Sequence, residues 1–69
     1  MSIELAPGWY ALGFADEAGA DGYLYDTVAE YHGNGAWTNE DGDPLTRVWC
    51  PALQHYVAPG SADRYVRQA

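Results

Sequence analysis

Residues 23–32, YLYDTVAEYH, give the strongest indication of the fold, because their side chains separate into two sets with a period of two. One face would carry Tyr23, Tyr25, Thr27, Ala29 and Tyr31, and the other Leu24, Asp26, Val28, Glu30 and His32. Both acids fall on the same face, which suits a strand with one wet side. A helix is the alternative, but the aromatic and β-branched content favours a strand.

Turn-forming residues divide the rest of the chain into short segments, which also favours strands over long helices. We predict strands over residues 9–15, 36–39 and 45–50, and a short edge strand over 54–57. For residues 9–15 a helix stays open, because Ala and Leu are good helix formers. Sequential strands joined by short turns predict an antiparallel meander.

The C-terminal segment predicts a short helix. Ser61 is a good N-cap residue, Asp63 would fall in the first turn, and Arg67 would lie near the end. The fold class we expect is therefore α+β, a single domain over residues 1–69 with a meander of four to five strands and this helix.

With one cysteine no intrachain disulfide can form, so three Trp, six Tyr and one Phe must supply the core.

Charge is the most informative property of the composition. The chain has ten acidic residues but only three arginines and no lysine, so its formal net charge is −7. Direct nucleic-acid binding is nearly excluded, because phosphate recognition needs a cationic patch. Two interpretations stay open: an acidic surface that serves only solubility, or a surface that binds a basic partner.

The meander predicts where the acidic residues lie. Alternate turns of a meander share one end of the sheet, so the acids of residues 16–21 and of residues 40–43 should project from the same edge. Asp26 and Glu30, about 13 Å apart along a strand, could extend this strip along a face. The predicted partner-binding residues are Asp16, Glu17, Asp21, Asp26, Glu30, Glu40, Asp41 and Asp43.

Residues 38–45, TNEDGDPL, look like a calcium loop but do not fit one. When Gly42 is aligned with the EF-hand glycine, Trp37 stands at the first ligand position and Val48 at the twelfth. We therefore predict a turn and no metal or other cofactor.

Catalytic arrangements are weak as well. Cys50, His32 and His55 are too few for a closed zinc site, and a reactive thiol needs an electropositive setting that this chain lacks. Cys50 is better explained as a small buried apolar residue. A glycosidase-like carboxylate pair would need a cleft and burial that exposed turn acids lack. We expect the protein not to be an enzyme.

The N-terminal residues, MSIEL, lack the basic start and apolar run of a signal peptide, and no stretch approaches the roughly 20 apolar residues of a membrane span. Together with the single thiol, this predicts a cytosolic protein.

Residues 23–59 resemble a small phage and prophage domain family of unknown function. The similar motifs are VAEY at 28–31, GAW at 35–37, DGDPL at 41–45 and VWCPAL at 48–53. They cover about half the chain and are structural in character. The proline-containing loop that precedes the first long strand in that family is not evident here, so residues 1–22 are not covered.

The whole-chain profile also resembles phage-borne anti-CRISPR proteins, in particular small acidic inhibitors of type I-C systems. This resemblance implies a non-enzymatic, monomeric DNA mimic that occupies the basic DNA-binding surface of the Cascade large subunit in an infected or lysogenic bacterial host. It assigns no role to any single residue. The alternative is a phage accessory or structural interaction module with an aromatic interface, whose acidity serves only solubility.

Overall fold

Strands, and no α-helix, make up the regular structure of residues 5–17 and 19–68, which are the residues described by this computed structural model. The elements are β1 (Gly8–Ala15), β2 (Tyr23–Gly33), β3 (Ala36–Thr38), β4 (Val48–Cys50), β5 (His55–Val57), a 3-10 helical turn (Pro59–Ser61) and β6 (Arg64–Arg67). The predicted α+β class is therefore wrong, and the fold is all-β. The prediction of a strand at residues 9–15 is confirmed by β1.

The predicted C-terminal helix is replaced by the 3-10 helical turn and β6. Ser61 lies inside that turn instead of capping a helix. Strand β6 pairs antiparallel with β1, with Tyr65 opposite Leu12 and Val66 opposite Ala11. A helix this short is marginal in water, whereas β6 bonds to backbone groups of β1 that need partners.

The strands form two antiparallel sheets instead of one meander. The larger sheet has the order β3-β2-β1-β6, and β4 and β5 form a separate hairpin. The meander prediction is right from β1 to β3 and wrong afterwards. The chain leaves the large sheet after β3, forms the hairpin, and returns beside β1 at the opposite edge.

A β-bulge in β2 changes the predicted alternation of its side chains. Thr27 lies opposite Leu12, but Leu24, three residues earlier, lies opposite Phe14. Leu12 and Phe14 share a face, so Leu24 joins Thr27 on the core side. Within the bulge the Tyr25 ring covers Gly13, where a Cβ would lie 2.5 Å from Tyr25 Cε1. A side chain at position 13 would therefore force the ring away.

The core lies between the large sheet and the β4–β5 hairpin. Its buried members are Tyr10, Leu12, Phe14, Ala29, Trp37, Val48 and Cys50. The prediction that Cys50 is a buried apolar residue is confirmed. The Trp37 ring stacks on Tyr65 at 5.8 Å between centroids and contacts Tyr31 at 4.7 Å. Aromatic contacts thus join β2, β3 and β6 on the inner face.

Candidate functional site: two acidic turns

The turn after β3 is the tip of a small hairpin with a fixed backbone. The Leu45 N–H donates to the Trp37 carbonyl at 2.9 Å, and the Asn39 N–H donates to the Asp43 carbonyl at 2.9 Å. Inside the turn, the Asn39 side-chain oxygen Oδ1 accepts the N–H groups of Asp41 at 2.9 Å and Asp43 at 3.0 Å. Gly42, at φ 86°, provides the left-handed conformation that the turn requires. A neutral amide therefore organises this acidic turn.

The carboxylates of this turn face the solvent. Glu40, Asp41 and Asp43 are all exposed. Within the described part of the chain, Arg64 forms an ion pair with Asp21, and the His32 ring lies 3.7 Å from the Glu30 carboxylate. None of the three turn carboxylates has a cationic partner among the described residues. Residues 39–43 therefore present three negative charges, and none of these carboxylates is needed to hold the turn backbone. We call this segment the acidic tip.

The turn between β1 and β2 uses its acids differently. Asp21 Oδ1 accepts the Tyr23 N–H at 3.1 Å, and Oδ2 accepts the Tyr25 hydroxyl at 3.2 Å. The same Oδ2 lies 3.5 Å from the Arg64 guanidinium, which also lies 5.3 Å from the centre of the Tyr23 ring. Asp21 therefore holds β2 and β6 together at this end of the sheet. The pKa of Tyr25 is raised above its ordinary value. The larger cause is the loss of hydration of the phenol, and the second is its hydrogen bond to Asp21.

Asp63, predicted to lie in the first turn of a helix, instead joins the ends of two strands. Its Oδ2 accepts the Ala15 N–H at 2.8 Å, and its own N–H donates to the Gly13 carbonyl at 2.8 Å. It thereby starts β6 against the end of β1. Of the acids predicted for the first turn, Glu17 is exposed and Asp16 is half-buried.

The two acidic turns point the same way along the sheet, but the strand register does not bring them together. Thr38, at the end of β3, lies opposite Glu30, whereas the first turn begins beside Tyr23. Seven residues of β2 separate those levels, about 23 Å at 3.3 Å per residue. The end of β3 and the start of β2 therefore lie at different levels along the sheet, and the acidic tip extends from the level of Thr38.

Asp26 and Glu30 lie on β2 between the two turns. Glu30 is opposite Trp9 on the outer face of the sheet, where it lies 3.7 Å from His32 Nε2. Asp26 is exposed in the bulge. Both therefore add acidity to the surface between the turns, although Glu30 is already near a partner.

The β4–β5 hairpin carries an exposed aromatic pair. Trp49 and Tyr56 lie directly opposite each other, their ring centroids are 5.3 Å apart, and they are 48% and 55% exposed. The Arg47 guanidinium lies 4.6 Å from the centre of the Tyr56 ring. Trp, Tyr and Arg often supply much of the binding energy at protein interfaces. The sequence could not show that these aromatics lie outside the core.

Residues 5–17 and 19–68 contain no cluster of three or more His, Cys, Asp or Glu side chains placed to hold a metal ion. In the acidic tip, the Asn39 oxygen that a cation would need already accepts two backbone N–H groups. His32 Nε2 lies 2.7 Å from the Thr38 hydroxyl, and His55 Nδ1 lies 3.1 Å from the Tyr56 carbonyl. Both histidines have local structural contacts.

No helix in the described residues is long and apolar enough to span a membrane. The fold and the surface define a small all-β protein of two antiparallel sheets, with an acidic turn whose carboxylates have no cationic partner among the described residues. No protein-family model matches the chain, and comparisons with curated proteins and with solved structures also found no match.

Proposed function

We propose that this protein is a non-enzymatic, acidic inhibitor that occupies a basic DNA-binding surface of a CRISPR type I Cascade complex, with the large subunit of a type I-C complex as the specific target. It would act as a phage-borne anti-CRISPR protein and DNA mimic in the cytoplasm of an infected or lysogenic bacterial host. It would bind as a monomer and would not bind nucleic acid itself.

The acidic tip is the observation that carries this proposal. Its backbone is held by Asn39, so Asp41 and Asp43 need no cation from their own chain. A surface that competes with DNA must offer negative charge to arginines and lysines of its partner. A preorganised turn supplies that charge with little loss of conformational freedom on binding.

The net charge adds a longer-range effect to this local contact. At −7 in total, the protein would be attracted to a basic groove before contact, which raises the association rate at low salt. Added salt screens this attraction beyond about 8–10 Å. Binding by this mechanism must therefore weaken as the ionic strength rises.

Competition with DNA tests the proposal directly. Purified type I-C Cascade is immobilised, the protein is bound, and target duplex DNA is titrated at 50 mM and 300 mM salt. We expect the duplex to displace the protein, and we expect the protein to bind more weakly at the higher salt. Binding that duplex DNA does not reduce, or that salt does not affect, would contradict mimicry.

A second candidate is favoured by the exposed Trp49–Tyr56 pair. In that case the chain is a phage accessory or structural interaction module that docks through the hairpin, and its acidity serves solubility. The double variant Trp49→Ser with Tyr56→Ser separates the two functions. A DNA mimic keeps most of its Cascade inhibition in this variant, whereas an interaction module loses its partner.

A further inference from the structure

An open groove of about 830 Å³ runs beside the acidic tip, within the size range of ligand pockets. Tyr31, Trp37 and Tyr65 provide aromatic walls, and Pro44 and Pro59 also line it. Gly35, Ala36 and Gly60 leave room between these larger side chains. The groove is therefore a concave surface with a mainly apolar lining.

The groove also offers a hydrogen-bond donor. Trp37 lines the groove, although only 6% of its surface is exposed. The Tyr31 hydroxyl accepts the Gly35 N–H at 3.1 Å, which leaves its own proton free to donate. A hydroxyl donor among aromatic walls suits a ligand with exposed carbonyl oxygens.

The acidic tip determines the charge of that ligand. Pro44 and Leu45 line the groove and follow Asp43 directly, while Trp37 on the facing segment bonds to Leu45. The acidic tip therefore leads directly into one wall of the groove at Pro44, and its carboxylates are exposed. A cationic side chain next to the apolar part of a ligand would complement them.

We propose that this groove binds an extended, proline-rich peptide segment that carries an arginine or lysine next to its prolines. A polyproline II chain has no internal hydrogen bonds, so its carbonyls are free to accept from the Tyr31 hydroxyl. Its proline rings pack on aromatic walls, and its stiffness reduces the entropy lost on binding. The cation lies over the acidic tip.

This inference does not depend on the proposed function, because the groove and the competition with DNA are measured separately. The probe is a synthetic capped heptapeptide, Arg-Pro-Leu-Pro-Pro-Leu-Pro. It is titrated into ¹⁵N-labelled protein, and the indole N–H signals of Trp9, Trp37 and Trp49 are followed. We expect a saturable shift of the Trp37 signal, with Trp9 and Trp49 unchanged.

Two matched peptides test the chemistry. Replacing every proline by alanine, or the arginine by glutamate, should each weaken binding about tenfold, equivalent to ~1.4 kcal/mol. Equal binding of the alanine peptide would overturn the polyproline requirement, and equal binding of the glutamate peptide would overturn the role of the acidic tip. No shift of Trp37 at millimolar peptide would overturn the site itself.

Two variants at one position test the location. A Cβ at Gly60 would meet no atom within 4 Å, so Gly60→Ala should bind the peptide like the parent protein. Gly60→Phe puts a ring into the groove and should weaken binding at least about tenfold. Both variants keep every acidic side chain, so both should still compete with DNA if the proposed function holds. Undiminished peptide binding by Gly60→Phe would contradict this groove as the site.

Discussion

The two acidic turns have similar compositions and opposite constructions. In the turn before β2, the Asp21 carboxylate already has partners within the protein: it accepts a hydrogen bond from Tyr25 and forms an ion pair with Arg64. In the acidic tip, the uncharged Asn39 holds the backbone and the carboxylates have no cationic partner among the described residues. The number of acids in a turn therefore does not measure its capacity to bind a partner; what matters is whether the fold already uses their charge.

The largest effect should come from reversing charge in the acidic tip. In Asp41→Lys with Asp43→Lys, we expect Cascade affinity to fall by at least about a hundredfold, because breaking close interfacial charge pairs costs ~2–5 kcal/mol. The free energy of unfolding should change little, since neither side chain has an ion pair among the described residues. Surface plasmon resonance and urea unfolding measure the two quantities.

Glu17→Lys with Asp26→Lys is the matched control for that double variant. It changes the net charge by the same amount at exposed positions outside the tip. We expect it to slow association by a smaller factor. If both double variants weaken binding equally, overall charge and not the tip determines affinity, and the comparison of the turns loses its functional meaning.

The second-largest effect should come from removing the side chain that holds the backbone of the acidic tip. Asn39→Ala removes the acceptor of two backbone N–H groups, so we expect a loss of about 1–2 kcal/mol in the free energy of unfolding. The urea midpoint should fall with an unchanged m-value. Asn39→Asp retains an acceptor oxygen and should recover part of this loss. A stable Asn39→Ala variant would show that the turn forms without its amide.

The third effect compares the two turns through one kind of substitution. Asp21→Asn keeps an acceptor for the Tyr23 N–H but removes the charge next to Arg64, and both side chains of that ion pair are about half exposed. We expect a cost of about 0.5–1 kcal/mol that shrinks at high salt. Asp41→Asn should not change the free energy of unfolding measurably. Thermal unfolding of both variants measures the two costs. Equal costs would mean that the turns do not differ in how they use charge.

The same distinction explains how far the sequence predicted this protein. The prediction of a strand over residues 23–32 is confirmed by β2, and the predicted alternation holds for residues 27–31, where the pairing with β1 is regular. The bulge was not visible in this segment, because it is a change in the pairing with β1, where the Tyr25 ring lies against Gly13. Local signals at Ser61 favoured a helix, but pairing with β1 outweighed them.

The acidic residues themselves were visible in the sequence, but their partners were not. The contact of Asp21 with Arg64 joins residues 43 positions apart, and it exists only because β6 returns beside β1. The bonds made by Asn39 span two and four positions and are typical of a local turn. Local structure was thus accessible from the sequence, while charge pairing depended on an unpredicted strand.

The smallest effect is on the ionisation of Tyr25. Loss of hydration and the hydrogen bond to Asp21 raise its pKa above the ordinary value of 10.0, so the folded protein keeps a proton that the unfolded chain releases. The stabilising contribution is therefore complete below pH 10 and is lost as the pH rises through the folded pKa. Asp21→Asn should lower the pKa of Tyr25, whereas Asp43→Asn should leave it unchanged. Carbon-13 NMR titration of the tyrosine Cζ signals, assigned with Tyr25→Phe, measures this, and an unaltered Tyr25 titration in Asp21→Asn would show that Asp21 does not act on the phenol in solution.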